Sequence, residues 1–207
     1  MVALNFSPHG VFFQSGLDII EDGYAAAVSG ITQEINRKKA AFYDYKRHLE
    51  NGGLRTEERD DEGNLIWSQD DELQSVIEIA EDALTALRKA YAITIYHHWE
   101  RSALQWSGRE NEKHDDLVCL VLKMGYPIDD RLNVVRYLAN LLKHANDHWG
   151  CKLVQSWPEL FPVGFTPSVD GSWSMNWYDH VSLSDANVRQ IMMIVRGSGP
   201  KTTLEDF

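Results

Sequence analysis

The sequence predicts a mainly α-helical protein: a helical bundle with one long antiparallel helical hairpin and an aromatic-rich C-terminal loop layer. Apolar residues recur every three or four positions through residues 11–106, with one interruption after Glu50. The same spacing returns between Arg131 and Trp149, and after Cys151 the composition shifts to Pro, Gly and aromatic residues. A chain of 207 residues has the length of one ordinary domain. Residues 1–207 are therefore interpreted as a single helical domain.

Two long helices account for the hairpin. The first is predicted from about Phe13 to Leu49 and ends at Asn51-Gly52-Gly53, because glycine favours helix termination. The second is predicted from about Asp71 to Trp106, and at ~1.5 Å per residue it would be ~54 Å long. Residues 51–71 contain a turn-like Asp-Glu-Gly-Asn sequence and are interpreted as an ordered loop or a small hairpin insert. Three residues are alternative N-caps of the second helix: Ser68, Asp70 and Asp71.

Shorter helices and loops are expected in residues 107–197. Helices are predicted at three places: about Glu110 to Met124, Arg131 to Trp149, and Ala186 to Arg196 with Ser184 or Asp185 as its cap. The aromatic segments around residue 170 are expected to form loops, with one or two short strands, that pack over the bundle. Residues 198–207 are expected to be a loose tail. Cys119, which lies in an apolar run, is expected to be buried.

Charge and composition argue against several classes of protein. The net charge is −11, whereas nonspecific nucleic-acid binders and proteins of anionic membranes usually carry a basic surface. A local basic site is compatible with this total. Two cysteines do not make a disulfide framework. The N-terminus lacks the pattern of a signal peptide, and no apolar run has the length of a transmembrane helix. The expected protein is cytoplasmic, with no membrane partner.

One ridge of the predicted central helix concentrates groups suited to phosphate chemistry. Arg136, Asn140 and His144 follow one another at i,i+4 spacing, and Lys143 lies beside them. Arg and Lys can hold a phosphate, and His can exchange protons near neutral pH. These groups are those needed for metal-independent RNA cleavage by a ribose 2′-hydroxyl. The alternative is an ordinary polar flank of an amphipathic helix.

Other polar clusters are weaker candidates for function. His144, His148 and Cys151 have a spacing that could hold a metal, but two ordinary, partly exposed histidines are the favoured interpretation, and no metal or cofactor is predicted. On the second long helix, Glu100 or His97 could orient His144, or Glu100 could form a structural ion pair.

The central helix and its surroundings resemble those of poorly characterised bacterial helical proteins. These proteins share Leu138-Ala139-Asn140, Leu142-Lys143-His144 and Pro158-Glu159-Leu160-Phe161 as they stand here, and His98-Trp99-Glu100-Arg101 upstream fits the same pattern. That group is similar to the HEPN superfamily, a group of helical bundles. The resemblance implies a homodimer, and a metal-independent ribonuclease with an antitoxin or other protein partner in toxin–antitoxin or phage-defence systems.

Family members pair an Arg with a nearby His. Seven residues separate Arg136 from His144, which is more than the family pattern has. Arg109 and His114 have the family spacing but lie in a polar segment, where the spacing is interpreted as accidental.

Two functional hypotheses follow from the sequence. In the first, His144 is the general base or acid of a ribonuclease, Arg136 and Lys143 hold the scissile phosphate, and Asn140 orients them. In the second, the chain is a non-catalytic module that dimerises or binds a protein partner through the long hairpin.

Overall fold

The computed structural model describes residues 7–167 and 176–203 and confirms a mainly α-helical fold with two long helices. The described helices and strands are α1 (Pro8–Glu50), β1 (Glu57–Arg59), β2 (Leu65–Ser68), α2 (Gln69–Ser107), α3 (His114–Lys123), α4 (Leu132–His144), α5 (Asp147–Ser156), α6 (Trp177–His180) and α7 (Asp185–Arg196). A 3-10 turn occupies Pro158–Leu160. Of the helices described, none combines the length and the apolar character that crossing a membrane requires.

The chain divides into two compact units. Unit 2 is the continuous segment Ala25–Leu87, and unit 1 comprises Met1–Tyr24 and Arg88–Phe207. Each long helix contributes one part to each unit. The prediction of a single domain for residues 1–207 stays a prediction, and the two units are described separately.

Unit 2 contains the antiparallel pairing of the two long helices. Lys39 of α1 forms an ion pair of 2.6 Å with Glu81 of α2, and Lys46, two turns further along α1, reaches back to Asp70 at 3.3 Å. Residue numbers thus rise along one helix as they fall along the other. Ile35, Ile77 and a few neighbouring apolar side chains are buried in this unit.

A small β-hairpin connects the long helices, as one of the two sequence interpretations expected. β1 pairs with β2 in antiparallel register, and the turn places Gly63 at a φ of 87°, a conformation that favours glycine. The Asp60 carboxylate accepts the backbone N–H groups of Glu62 and Asn64 and stabilises this turn. Of the three alternative caps of α2, Ser68 accepts a backbone N–H through its hydroxyl, at 3.4 Å.

Unit 1 has its core among the ends of the long helices and the shorter helices. Its largest fully buried side chains include Phe13, Leu17, Ile95, Trp99, Leu138, Leu153, Trp177 and Ile191. The Trp99 indole donates to the carbonyl oxygen of Ser198 at 2.5 Å. Ser198 and the two residues that follow it are buried, so the expectation of a loose tail from residue 198 is wrong for them. The last four residues of the expected tail, 204–207, lie outside the described part of the chain.

The helix predicted from Arg131 to Trp149 is two helices. Ala145 has a left-handed backbone with a φ of 46°, and its N–H donates to the carbonyl of Leu141, which ends α4. Asn146 then caps α5 by accepting the N–H of Trp149 at 3.2 Å. Because α5 continues to Ser156, the change in composition after Cys151 does not mark the end of helical structure.

The remaining predictions for unit 1 are partly confirmed. Ser184, one of the two alternative caps, forms a capping box with Asn187 at the start of α7. The structure describes a short helix, α6, in the aromatic C-terminal segment, while residues 168–175 of that segment lie outside the described residues. Cys119 is exposed, and the expectation that it is buried is wrong. Because α3 buries His114, Leu117 and Val121, Cys119 faces the other side of the helix.

Candidate functional site

Helix α4 places the predicted ridge on its polar side. Its opposite side is buried, which fixes the rotation of the helix; the buried residues are Leu132, Val135, Leu138, Ala139, Leu141 and Leu142. Asn140 is half-buried, whereas Lys143 and His144 are exposed in the last turn. Positive charge is favourable there because the helix dipole is negative at the C-terminus. Within the described part of the chain, the side chains of Asn140 and His144 form no hydrogen bond or ion pair, so their polar groups are available to a ligand.

Arg136 is held at the other end of the ridge. Its Nη1 lies 3.0 Å from Oδ1 of Asp115 and 3.4 Å from Oδ1 of Asn133. The guanidinium also stacks over the ring of Trp149, 5.3 Å from its centroid. Arg136 and His144 are eight positions apart, which at ~1.5 Å rise per residue is ~12 Å along the helix axis. The structure therefore does not bring Arg136 and His144 of one chain together.

The two supporting residues expected on α2 contact each other. Nδ1 of His97 lies 2.8 Å from Oε2 of Glu100, and both side chains are half-buried. The structure thus pairs Glu100 with His97 rather than with His144. Of the two interpretations of Glu100, the local structural pair is the one observed, although its partner is His97.

Helix α5 adds cationic and aromatic groups that the sequence analysis did not include in the site. Nζ of Lys152 lies 5.2 Å from the ring centroid of Trp149 and 5.3 Å from that of Tyr137. The rings of Tyr137 and Trp149 are 5.9 Å apart. We define the α4–α5 basic face as Arg136, Tyr137, Asn140, Lys143, His144, Trp149 and Lys152. Asn146 is the sequence signal for the start of α5, because asparagine is a favoured N-cap residue. Once that start is known, Trp149 and Lys152 are three positions apart on one helix.

The α4–α5 basic face carries positive charge that is little neutralised. Residues 131–156 contain four basic residues and one acidic residue, a net charge of +3, so the rest of this −11 chain carries −14. Neither Lys143 nor Lys152 forms an ion pair with a described residue. Asp115, the partner of Arg136, is 81% exposed in its side chain, so water and salt screen that pair.

The other basic run of the chain provides a contrast. Five basic residues between Arg37 and Arg47 each form an ion pair with an acidic side chain of unit 2. Their charge is largely neutralised within the protein. The density of basic residues therefore does not by itself distinguish the α4–α5 basic face, but the lack of acidic partners at its lysines does.

A buried histidine lies next to this face. His114 accepts or donates a hydrogen bond of 3.0 Å at the Tyr96 hydroxyl and packs its ring 5.3 Å from that of Trp99. Burial, reinforced by the charge of Arg136, lowers the pKa of His114 from 6.5 to about 4, and burial raises the pKa of Tyr96. His114 is therefore neutral at pH 7. Arg109 is exposed and is not in contact with His114, so the family-like Arg–His spacing does not form a pair.

The predicted metal alternative has no support among the described residues. Three or more His, Cys, Asp or Glu side chains do not come together there in a group that could hold a metal ion. His148 is exposed and contacts the edge of the Trp149 ring, with centroids 4.7 Å apart.

Comparison of the chain with protein-family models, with curated proteins and with solved structures gives no match. The functional argument therefore rests on the geometry of the α4–α5 basic face and on the sequence resemblance.

Proposed function

We propose that the α4–α5 basic face binds RNA, in a HEPN-like bacterial protein of defence or toxin–antitoxin type that acts in the cytoplasm. The observation that supports this most is that Lys143 and Lys152 form no ion pair with a described residue, and that Lys152 lies beside the half-buried rings of Tyr137 and Trp149. Lysines attract phosphates and release counterions. Aromatic rings such as Trp149 offer a stacking surface for unpaired bases.

A metal-independent ribonuclease is the catalytic form of this proposal. A ribose 2′-oxygen attacks the adjacent phosphorus, and the bond from phosphorus to the 5′-oxygen breaks. His144 takes the proton of the 2′-hydroxyl while water protonates the leaving 5′-oxygen, or His144 protonates the 5′-oxygen while water takes the proton of the 2′-hydroxyl. Lys143 holds the phosphate and Asn140 orients it. Arg136 reaches a neighbouring phosphate only after it exchanges its contact with Asp115.

Cleavage by the purified protein tests the catalytic form. Total cellular RNA and tRNA are incubated with wild-type protein and two variants, His144→Ala and His148→Ala, in EDTA. His148→Ala is the matched control, because His148 is another exposed histidine four residues further along. We expect cleavage by the wild type and by His148→Ala, and none by His144→Ala. Equal cleavage by all three proteins, or none by the folded wild type, contradicts a catalytic role of His144.

Binding is tested separately from cleavage with a labelled single-stranded RNA and fluorescence anisotropy. Each lost phosphate contact should reduce the salt dependence of log K by about 0.7, so Lys143→Gln and Lys152→Gln should each show this reduction. Lys39→Gln is the control because Glu81 already neutralises that lysine. An unchanged salt dependence in both test variants would remove the lysines from the RNA site.

The second candidate is a non-catalytic helical module that forms a homodimer or binds another protein. The observation that favours it is the engagement of Arg136 by Asp115 and Trp149, which keeps this residue away from His144. A folded wild type that neither cleaves nor binds RNA would favour this candidate.

A further inference from the structure

Unit 2 contains an open apolar groove on the side of its two helices. The groove has a volume of about 350 Å³. Its apolar lining consists of Gly30, Ile31, Val76, Ile79, Ala80 and Ala83. Ile79 is 63% exposed, and a Cβ added at Gly30 would meet no atom within 4 Å. The exposed apolar side chains of this groove offer a surface on which a further apolar group could be buried from water.

The helix that forms one wall of the groove is strongly acidic. Residues 69–87 of α2 contain six acidic residues and no basic residue. Glu72 and Asp82 lie seven residues before and three residues after Ile79, on the same side of the helix. Neither forms an ion pair with a described residue.

On the α1 wall, positive charge is partly neutralised, because Arg37 and Lys38 share one carboxylate. The Glu34 carboxylate contacts Arg37 at 2.7 Å and Lys38 at 3.4 Å, and these contacts lower the pKa of Glu34 to about 2. The exposed charge that borders the groove is therefore predominantly negative.

We propose that this groove docks a basic amphipathic helix of a protein partner. Apolar side chains at every third or fourth position of the partner would cover Ile79 and fill the space between α1 and α2, the helix-in-groove mode of recognition. Its Lys and Arg residues would pair with Glu72 and Asp82. The small side chains at Gly30, Ala80 and Ala83 leave room for a helix backbone to approach. The proposal specifies where the second candidate, a non-catalytic protein-binding module, would bind its partner and that the partner would be basic. It does not depend on RNA binding.

A second copy of this chain is a poorer occupant than a basic helix. The basic run of unit 2, from Arg37 to Arg47, already pairs with acidic residues of its own chain. A homodimer that pairs the groove of one copy with the groove of the other would have to exchange those ion pairs to neutralise Glu72 and Asp82. A separate basic helix can neutralise them directly.

The probe for this site is a synthetic 18-residue fluorescein-labelled peptide with leucines at helical spacing and lysines on both flanks. The control peptide carries glutamates in place of the lysines. Anisotropy with the full-length protein should show that the lysine peptide binds at least about tenfold more tightly, which corresponds to ~1.4 kcal/mol. Equal binding of the two peptides overturns the proposal.

Two protein variants locate the binding. In Glu72→Lys/Asp82→Lys the preference should reverse, so that the glutamate peptide binds more tightly. Glu110→Lys/Asp116→Lys in unit 1 makes the same change in net charge at exposed residues and should leave the preference unchanged. If both variants alter the preference equally, the effect is one of net charge and the groove is not the site.

Ala83→Trp fills the groove without changing charge and should abolish binding of the lysine peptide. Light scattering of the wild type and of Ala83→Trp tests whether a second copy of this chain occupies the groove. A wild-type dimer that Ala83→Trp converts to a monomer would show that a second copy covers the groove, against the proposal. RNA binding by the folded Ala83→Trp variant should equal that of the wild type, so failure of this proposal and failure of the RNA proposal are distinguishable.

Discussion

Replacement of Gly150 by alanine tests how closely α5 packs against the aromatic C-terminal segment. A Cβ at Gly150 would lie 2.3 Å from Cδ2 and 2.4 Å from Cε2 of Trp177, about 1 Å inside the ~3.5 Å at which carbon atoms normally meet. The indole is 1% exposed, and its Nε1 donates to Oδ1 of Asp147 at 2.6 Å. Trp177 therefore cannot shift without losing buried contacts and this hydrogen bond.

Three contributions determine the change in the free energy of unfolding. Alanine is favoured over glycine within a helix by about 1 kcal/mol. Overpacking of a core costs about 1–3 kcal/mol, and a lost hydrogen bond to a charged group about 1.5–3 kcal/mol. The opposing contributions leave a net loss, and we expect Gly150→Ala to reduce the free energy of unfolding by about 2–4 kcal/mol.

The assay is urea unfolding followed by far-UV circular dichroism, with Gly30→Ala as the matched control. Gly30 is also helical but has no atom within 4 Å of the added Cβ, so this variant should gain up to about 1 kcal/mol. Combining Gly150→Ala with Trp177→Leu should reduce the cost of the alanine, because the clash is removed. A Gly150→Ala protein as stable as the wild type would refute the packing described here.

Three further predictions concern single residues of unit 1. Ser184→Ala removes the acceptor of the Asn187 N–H at the start of α7 and should cost about 1 kcal/mol in a urea titration, whereas an unchanged midpoint would exclude a stabilising cap. Ala145→Gly relieves the positive φ between α4 and α5 and should raise the midpoint by the equivalent of about 0.5–1 kcal/mol; a lower midpoint would contradict strain at this residue. His114 has a pKa lowered by burial from 6.5 to about 4, so the unfolded chain takes up a proton first as the pH falls through this window. The wild type should lose about 3 kcal/mol of stability between pH 6.5 and 4 relative to His114→Asn, and parallel pH profiles of the two proteins would contradict this.

Helical periodicity predicted most of the fold but missed the break between α4 and α5. The long helices were located because apolar residues recur over many turns. The break between α4 and α5 was missed because neither Gly nor Pro marks it, and Ala145 adopts a left-handed conformation that alanine seldom takes. Tertiary packing of both helices, together with the Asn146 cap, stabilises this break.

The sequence predicted most residues of the candidate site that lie on α4, but not the contacts that α3 and α5 add to it. Arg136, Asn140, Lys143 and His144 were found because helical spacing relates them directly. The approach of Asp115 to Arg136 depends on packing between α3 and α4, for which local sequence carries no signal. Burial of His114 against Tyr96 likewise depends on contacts between helices.

The way the chain passes through its two units has consequences during synthesis on the ribosome. Unit 2 is continuous, so all its residues are available once Leu87 has left the exit tunnel. Unit 1 must wait, because the Gln14 side chain donates to the carbonyl of Pro200, 186 residues later. At about 5–20 residues per second this interval is about 10–40 s.

During that interval Phe13 and Leu17, which are buried in the finished fold, lack the C-terminal part of their core. In the part of this interval that follows the emergence of Leu87, the nascent chain exposes apolar surface at its N-terminal end while its middle segment is already complete. Chaperones and stalled or truncated translation should therefore affect unit 1 far more than unit 2.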